Sequence, residues 1–249
     1  MRKRHMRTGI LMAVFLSIFS LPLAADSYKE AVQLFQKARY QDSLTMVAKI
    51  LTVDQDMEPD SPNYKLRFLA AHIHWKLGNH KSAIAHFRRC MDIKSDVVGP
   101  YVDLSLMLLE MGRYRDVNSY AQRGLKIKED PMLYYVLGKA ASGYKNYWRA
   151  KELFEKSLSL DPELFISFNE LGIVLMEMDQ YSQANTAFSA ALALKPDSPE
   201  ILNNIALSLE RMKKYPEAYG YLKNAKALAP DHAVILKNFD RLKEIVGDK

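Results

Sequence analysis

The residue types most able to do chemistry in this chain of 249 residues gather in one stretch, where His72, His74, His80 and His86 precede Cys90. His86 and Cys90 stand four apart, so on a helix they share a face. An imidazole there could draw the proton from a thiol and make a nucleophile. The four histidines fall within fifteen residues, a density that raises metal binding. Yet His72 and His74, two apart, point to different sides of a helix, and no rigid ligand set with a second shell accompanies them. Cys90 is the only cysteine, so neither an internal disulfide nor a Cys/His zinc framework can form. The chain has no Gly-rich phosphate loop, no H-E-x-x-H pair and no G-x-S-x-G elbow. The expectation is a chain with no catalytic residue, no metal and no cofactor.

The elements that hold these residues are legible as a repeat with a period of 34. In 165–198, Phe168, Leu171, Gly172, Tyr181, Ala184, Phe188, Ala191 and Pro196 occupy positions 4, 7, 8, 17, 20, 24, 27 and 32. In 199–232 the same positions hold Leu202, Ile205, Ala206, Tyr215, Ala218, Leu222, Ala225 and Pro230. Block 131–164 gives Tyr134, Leu137, Gly138, Tyr147, Ala150, Phe154, Ser157 and Pro162. Block 98–130, one residue short, keeps Tyr101, Leu104, Ser105, Tyr114, Val117, Ala121 and Gly124. Block 64–97 is the most divergent and keeps Ala71, His80, Ala83, Phe87 and Cys90. Positions 4, 7 and 8 share one side of a helix, and 20, 24 and 27 share one side of a second, so each block reads as a helical hairpin. Small residues at 8 and 20 let the two helices approach, while the large residues fill the flanks. The prolines at position 32 should end the second helices, and Pro216 sits where a second helix can start. In this frame His80 takes the position of a packed aromatic and Cys90 that of a small buried residue.

The W-x2-L-G-x2-Y, A-x3-F and Pro pattern resembles the tetratricopeptide repeat. The resemblance implies an all-α fold, a right-handed superhelical solenoid of antiparallel helix hairpins. The expected organisation is a leader over 1–25, a degenerate hairpin and loop over 26–63, five repeats (64–97, 98–130, 131–164, 165–198, 199–232) and a capping helix over 233–249. Asp26 is expected to cap the first helix, and Leu236, Phe239, Leu242 and Ile245 form the expected apolar face of the last.

What the resemblance implies about function is a protein or peptide partner held in a concave groove lined by the first helices. The groove set includes Lys65, Phe68, His72, Trp75, Tyr135, Lys139, Asn169 and Asn203. Position 6, which in many relatives carries an asparagine that bonds a peptide backbone, holds Asn204 in one repeat but Leu69, Asp103, Val136 and Glu170 in the others. The Lys/Asn/Arg clamp for a terminal carboxylate is not matched, so that partner class is not implied. Lys65, Phe68, Trp75, Tyr135 and Lys139 form an aromatic and basic group suited to an apolar or acidic peptide.

Charge narrows the partners further. The formal charge is +6, but Arg2, Lys3, Arg4 and Arg7 lie in a leader without acids, and the remainder is +2. That excludes nucleic acid as the main partner. The basic start, the apolar run Ile10 to Leu23 and the Ala24-Ala25-Asp26 junction read as a signal peptide cleaved after Ala25, giving a periplasmic or secreted protein. The alternative is an uncleaved anchor in an inner membrane with the repeats facing the periplasm. The functional expectation is a non-catalytic scaffold for envelope assembly or transport. Its alternatives are an anchored scaffold and a small-ligand or transporter-accessory module.

Overall fold

In the computed structural model the described residues are 22–51 and 63–247. Most of the expected leader and the proline-containing loop after the first hairpin lie outside them. The described residues form thirteen helices and no strand: α1 (Pro22–Gln36), α2 (Tyr40–Leu51), α3 (Asn63–Lys76), α4 (His80–Ile93), α5 (Gly99–Glu110), α6 (Tyr114–Leu125), α7 (Pro131–Gly143), α8 (Tyr147–Leu160), α9 (Phe165–Glu177), α10 (Tyr181–Leu194), α11 (Pro199–Arg211), α12 (Tyr215–Leu228) and α13 (Ala233–Val246). They fall into two compact units, one ending at Leu104 and one beginning at Ser105, within α5.

The helix ends follow from local chemistry. Asp130 accepts from the amides of Met132 and Leu133 at 2.8 and 3.2 Å, with Pro131 as first helical residue. Ser198 before Pro199 does the same for Ile201. These are N-caps with proline where a missing N–H costs nothing. Helices α8, α10 and α12 end two residues before Pro162, Pro196 and Pro230. The intervening Asp161, Lys195 and Ala229 are extended, with φ of −139°, −139° and −137°, the conformation a following proline imposes.

Position 17 is the first residue of every second helix: Tyr40, His80, Tyr114, Tyr147, Tyr181 and Tyr215. Two residues before each, the chain turns through a left-handed residue, Ala38, Gly78, Gly112, Lys145, Asp179 or Lys213, with φ between 58° and 75°. In the first hairpin, Ala38 N–H bonds Phe35 O and Arg39 N–H bonds Leu34 O. The same pair recurs in the other turns, from Gly78 and Asn79 through Lys213 and Lys214. It is the Schellman closure that satisfies the last carbonyls of the first helix.

In unit 1, α1 packs on α2, α2 on α3 and α3 on α4. Its core joins Tyr28, Ala31, Val47, Leu66, Leu69 and Ile73. Asp26 does not cap α1: the helix already runs from Pro22, and Asp26 pairs instead with Lys29 at 3.5 Å within it. In unit 2, consecutive helices from α6 to α13 pack in pairs. The small residues at position 8 are required by rings: a Cβ on Gly138 would lie 2.7 Å from Phe154, and one on Gly172 2.5 Å from Phe188. The tyrosines at position 17 reach forward to position 13 of the next repeat. Tyr114 lies against Gly143, the Tyr147 hydroxyl donates to Glu177 at 3.1 Å, and the Arg211 guanidinium stacks over Tyr181 at 5.8 Å. Helix α13 buries Ile235 and Leu242 and stacks Phe239 on Tyr219 at 5.0 Å, whereas Ile245 is half exposed. Its buried face is thus turned by one residue from the expected one, because Ile235 and not Leu236 begins it.

Candidate functional site: the first-helix face

Each first helix is buried on more than one side, since one side meets its own second helix and another meets its neighbours. What remains is a strip at positions 2, 5, 6, 9 and 12, where the expected groove residues sit.

In unit 1 that strip lies on α3. Phe68 and His72 are buried, edge to face with each other at 4.8 Å and both against Phe87. The His72 Nε2 stands 3.0 Å from the Asp103 carboxylate. Trp75, half buried, stacks on His72 at 5.9 Å. Lys65 is half buried, and burial together with Lys94 holds its pKa below the ordinary lysine value. Burial therefore makes Phe68 and His72 the support of this face, and Lys65 and Trp75 the side chains that reach its surface.

In unit 2 the strip is a chain of polar links from one repeat to the next. Lys139 pairs with Glu170 at 2.8 Å. Asn204 donates to Asn169 at 3.0 Å, and Asn238 donates to Asn203 at 2.8 Å. Arg241 grips both oxygens of Glu210. Asn203 is buried, while Tyr135, Lys139, Asn169 and Asn204 are half buried. The separations are 31 or 35 residues, and the His72–Asp103 link of unit 1 has the first of these. Asn238 and Arg241 were not among the expected site residues. A search of the sequence for complementary side chains at those two separations would have found them.

The structure packs Cys90, His74 and His86 among neighbouring side chains. Cys90 is fully buried, its thiol donates toward the Tyr64 carbonyl at 3.7 Å, and burial pushes its pKa up to about 12. Burial thus favours the protonated thiol over the thiolate. Ser157, at the equivalent position 27, donates to the Pro131 carbonyl at 2.8 Å, the same link made with oxygen. His74 and His86 stack at 5.4 Å, and burial, His74 and Arg67 bring the pKa of His86 down to about 4. Burial lowers the pKa of His74 as well. Among the described residues no three His, Cys, Asp or Glu side chains are grouped to hold a metal ion.

Sequence models of the tetratricopeptide repeat match residues 64–97 and 133–164, and a second such model matches 169–233. This chain is a tetratricopeptide repeat protein. The matches fall in four of the five expected blocks, and 98–130 shares with them the left-handed turn, here at Gly112. Solved structures agree on the fold. PilW, described as a widely conserved type IV pilus biogenesis factor, is similar with a TM-score of 0.74 at 16% identity, covering 90% of this chain and 99% of that one. Pseudomonas aeruginosa pilF gives 0.70 at 18%, covering 89% and 97%. The APC/C hetero-tetramer Cut9-Hcn1 gives 0.74 at 19%, but this chain, 88% covered, spans only 42% of that one. No curated protein sequence matches the chain. Tetratricopeptide repeats are a protein-interaction architecture, and this chain is such a scaffold.

Proposed function

We propose that the chain is an exported, non-catalytic adaptor that holds polypeptide segments against its first-helix faces during assembly or transport at a bacterial envelope. The observation that carries the proposal is one of extent: PilW and pilF match nearly end to end in both directions, where Cut9-Hcn1 uses an array of this length as part of a longer one. The basic and apolar leader supports export, and the periplasmic face of an inner membrane is the alternative address. No helix among the described residues is long and apolar enough to cross a membrane.

The half-buried Tyr135, Lys139, Asn169 and Asn204 supply the contact row in unit 2, and Lys65 and Trp75 supply it in unit 1. Their mixture of rings, carboxamides and ammonium groups suits an extended peptide whose backbone pairs with amides and whose apolar side chains meet the rings. The test is crosslinking and affinity capture from the native envelope with the parent chain, with Tyr135→Ala combined with Asn169→Ala, and with Trp75→Ala alone. Loss of the captured protein at unchanged helicity supports the proposal; undiminished capture by all variants removes it. Mass spectrometry of the native chain separates the two addresses, because a mature start near Asp26 rules out the anchor.

A further inference from the structure

A second surface stands apart from the first-helix faces, and it begins with a misfit to the repeat. Position 18 holds Gln41, Lys81, Arg115, Ser182 and Pro216 in the other hairpins, but Trp148 in α8, where the indole is 67% exposed. Tyr144, four residues earlier, is 57% exposed and stands edge to face with Tyr114 at 5.5 Å. Trp148 is a large apolar group where the other hairpins carry polar residues or proline, and Tyr144 is a large ring left at the surface.

Tyr144 lines a cleft of about 190 Å3 between α6, α7 and α8, and Trp148 directly precedes Arg149, which lines it too. Its floor is apolar, built from Leu137, Ala141 and Leu153, all buried. Its rim carries three carboxamides, Asn118, Gln122 and Asn146. The Asn118 amide donates to the Tyr114 carbonyl at 3.1 Å, which leaves its oxygen to accept. The Asn146 oxygen accepts from the Arg149 amide at 3.2 Å, which leaves its NH2 to donate. An acceptor and a donor on the rim of a cleft with an apolar floor are what an extended backbone needs.

The charges around it have one sign to spare. Asp116 is held by Arg113 at 2.6 Å, Glu152 by Arg149 at 2.9 Å and Glu155 by Lys151 at 3.8 Å. Arg115 and Lys145 have no ion-pair partner among the described residues, and both are exposed. Lys145 stands between the cleft residues Tyr144 and Asn146 in the chain, and Arg115 follows Tyr114.

We propose that this cleft docks an extended acidic segment of a partner protein. One apolar side chain of the segment enters the slot beside Tyr144 and Trp148, its backbone bonds Asn118 and Asn146, and its carboxylates face Arg115 and Lys145. Binding here uses none of the contact residues Tyr135, Lys139, Asn169 and Asn204, so one chain can hold two polypeptides.

The experiment titrates the full chain against a fluorescein-labelled, end-capped heptapeptide in which one phenylalanine is flanked on both sides by glutamates, read by anisotropy. The control peptides replace the glutamates with lysine, or the phenylalanine with alanine. The acidic phenylalanine peptide binds, added salt weakens it, and both controls lose affinity. Trp148→Ala with Tyr144→Ala, and separately Arg115→Glu with Lys145→Glu, weaken it by about tenfold or more with unchanged circular dichroism. All four side chains are at the surface, so these variants fold. Failure of the acidic peptide to bind, equal binding of the lysine peptide, or affinity unchanged in both variants overturns the proposal. So does a sedimentation result showing that Trp148 joins two copies of the chain, or binding of phosphatidylglycerol vesicles in place of the peptide. Tyr135 and Trp75 are untouched in these variants, so failure here leaves the proposed function standing.

Discussion

Cys90 and Ser157 show how one position constrains a side chain without fixing its chemistry. Each donates from position 27 to the carbonyl at position 1 of its own block, so the site asks for a small side chain and takes sulfur or oxygen as a donor without requiring one. Cys90→Ser should change stability by less than about 1 kcal/mol, and Cys90→Ala should cost about 1 kcal/mol, both read by chemical denaturation. In the native protein the thiol should resist a soluble disulfide reagent and react only on unfolding. His86 gives a pH signature. Its folded pKa is lowered from 6.5 to about 4, so the unfolded chain takes up a proton first as pH falls. The stability it contributes is complete above pH 6.5 and is lost as pH falls from 6.5 toward 4. The melting temperature of His86→Phe should therefore fall less than that of the parent over this window, and parallel curves would show that His86 does not titrate between the states. The sequence exposed the small-residue role of Cys90 because four other copies display the position. It did not expose the burial of Phe68 and His72, because no pattern in one helix says which of its flanks a neighbouring helix will cover.

At the scale of the element, the hairpin turn is a backbone shape shared by six turns, of which only two use glycine. Ala38 and Lys213 hold left-handed φ values of 58° and 63° at the cost of a Cβ crowding its own carbonyl. Replacing either with glycine should stabilise the fold by about 0.5 to 1 kcal/mol, and Gly78→Ala should destabilise it by a similar amount, as thermal unfolding would show. The glycines inside helices divide by environment. Gly172→Ala sets a methyl 2.5 Å from the Phe188 ring and should cost roughly 1 to 3 kcal/mol, while Gly220→Ala, with nothing within 4 Å, should stabilise α12 by about 0.5 to 1 kcal/mol. Helix ends at Pro162, Pro196 and Pro230 were legible because proline acts on the residue before it. The start of α1 was not, because Asp26 suits an N-cap and a first-turn helical site equally well.

For the whole molecule, the all-α repeat architecture was readable because a period of 34 recurs five times and each copy tests the others. The division at Leu104 was not, since it falls inside a helix of ordinary sequence. An array needs its ends covered. Removing 233–249 takes away Ile235, Phe239 and Leu242 together with the Asn203 and Glu210 partners on α13. The truncated chain should melt at lower temperature and bind a hydrophobic dye, and an unchanged melt would show that α12 covers itself. The polar links along the first helices have a further consequence, for they act as a length gauge. A single residue inserted between Asn169 and Asn204 would turn one partner by roughly 100° on its helix and break the bond. Whole repeats can be exchanged under that rule, but none can be lengthened within a linked interval. The one block that is a residue short, 98–130, obeys it: its shortfall comes after Gly124, beyond the interval from His72 to Asp103 that a link spans.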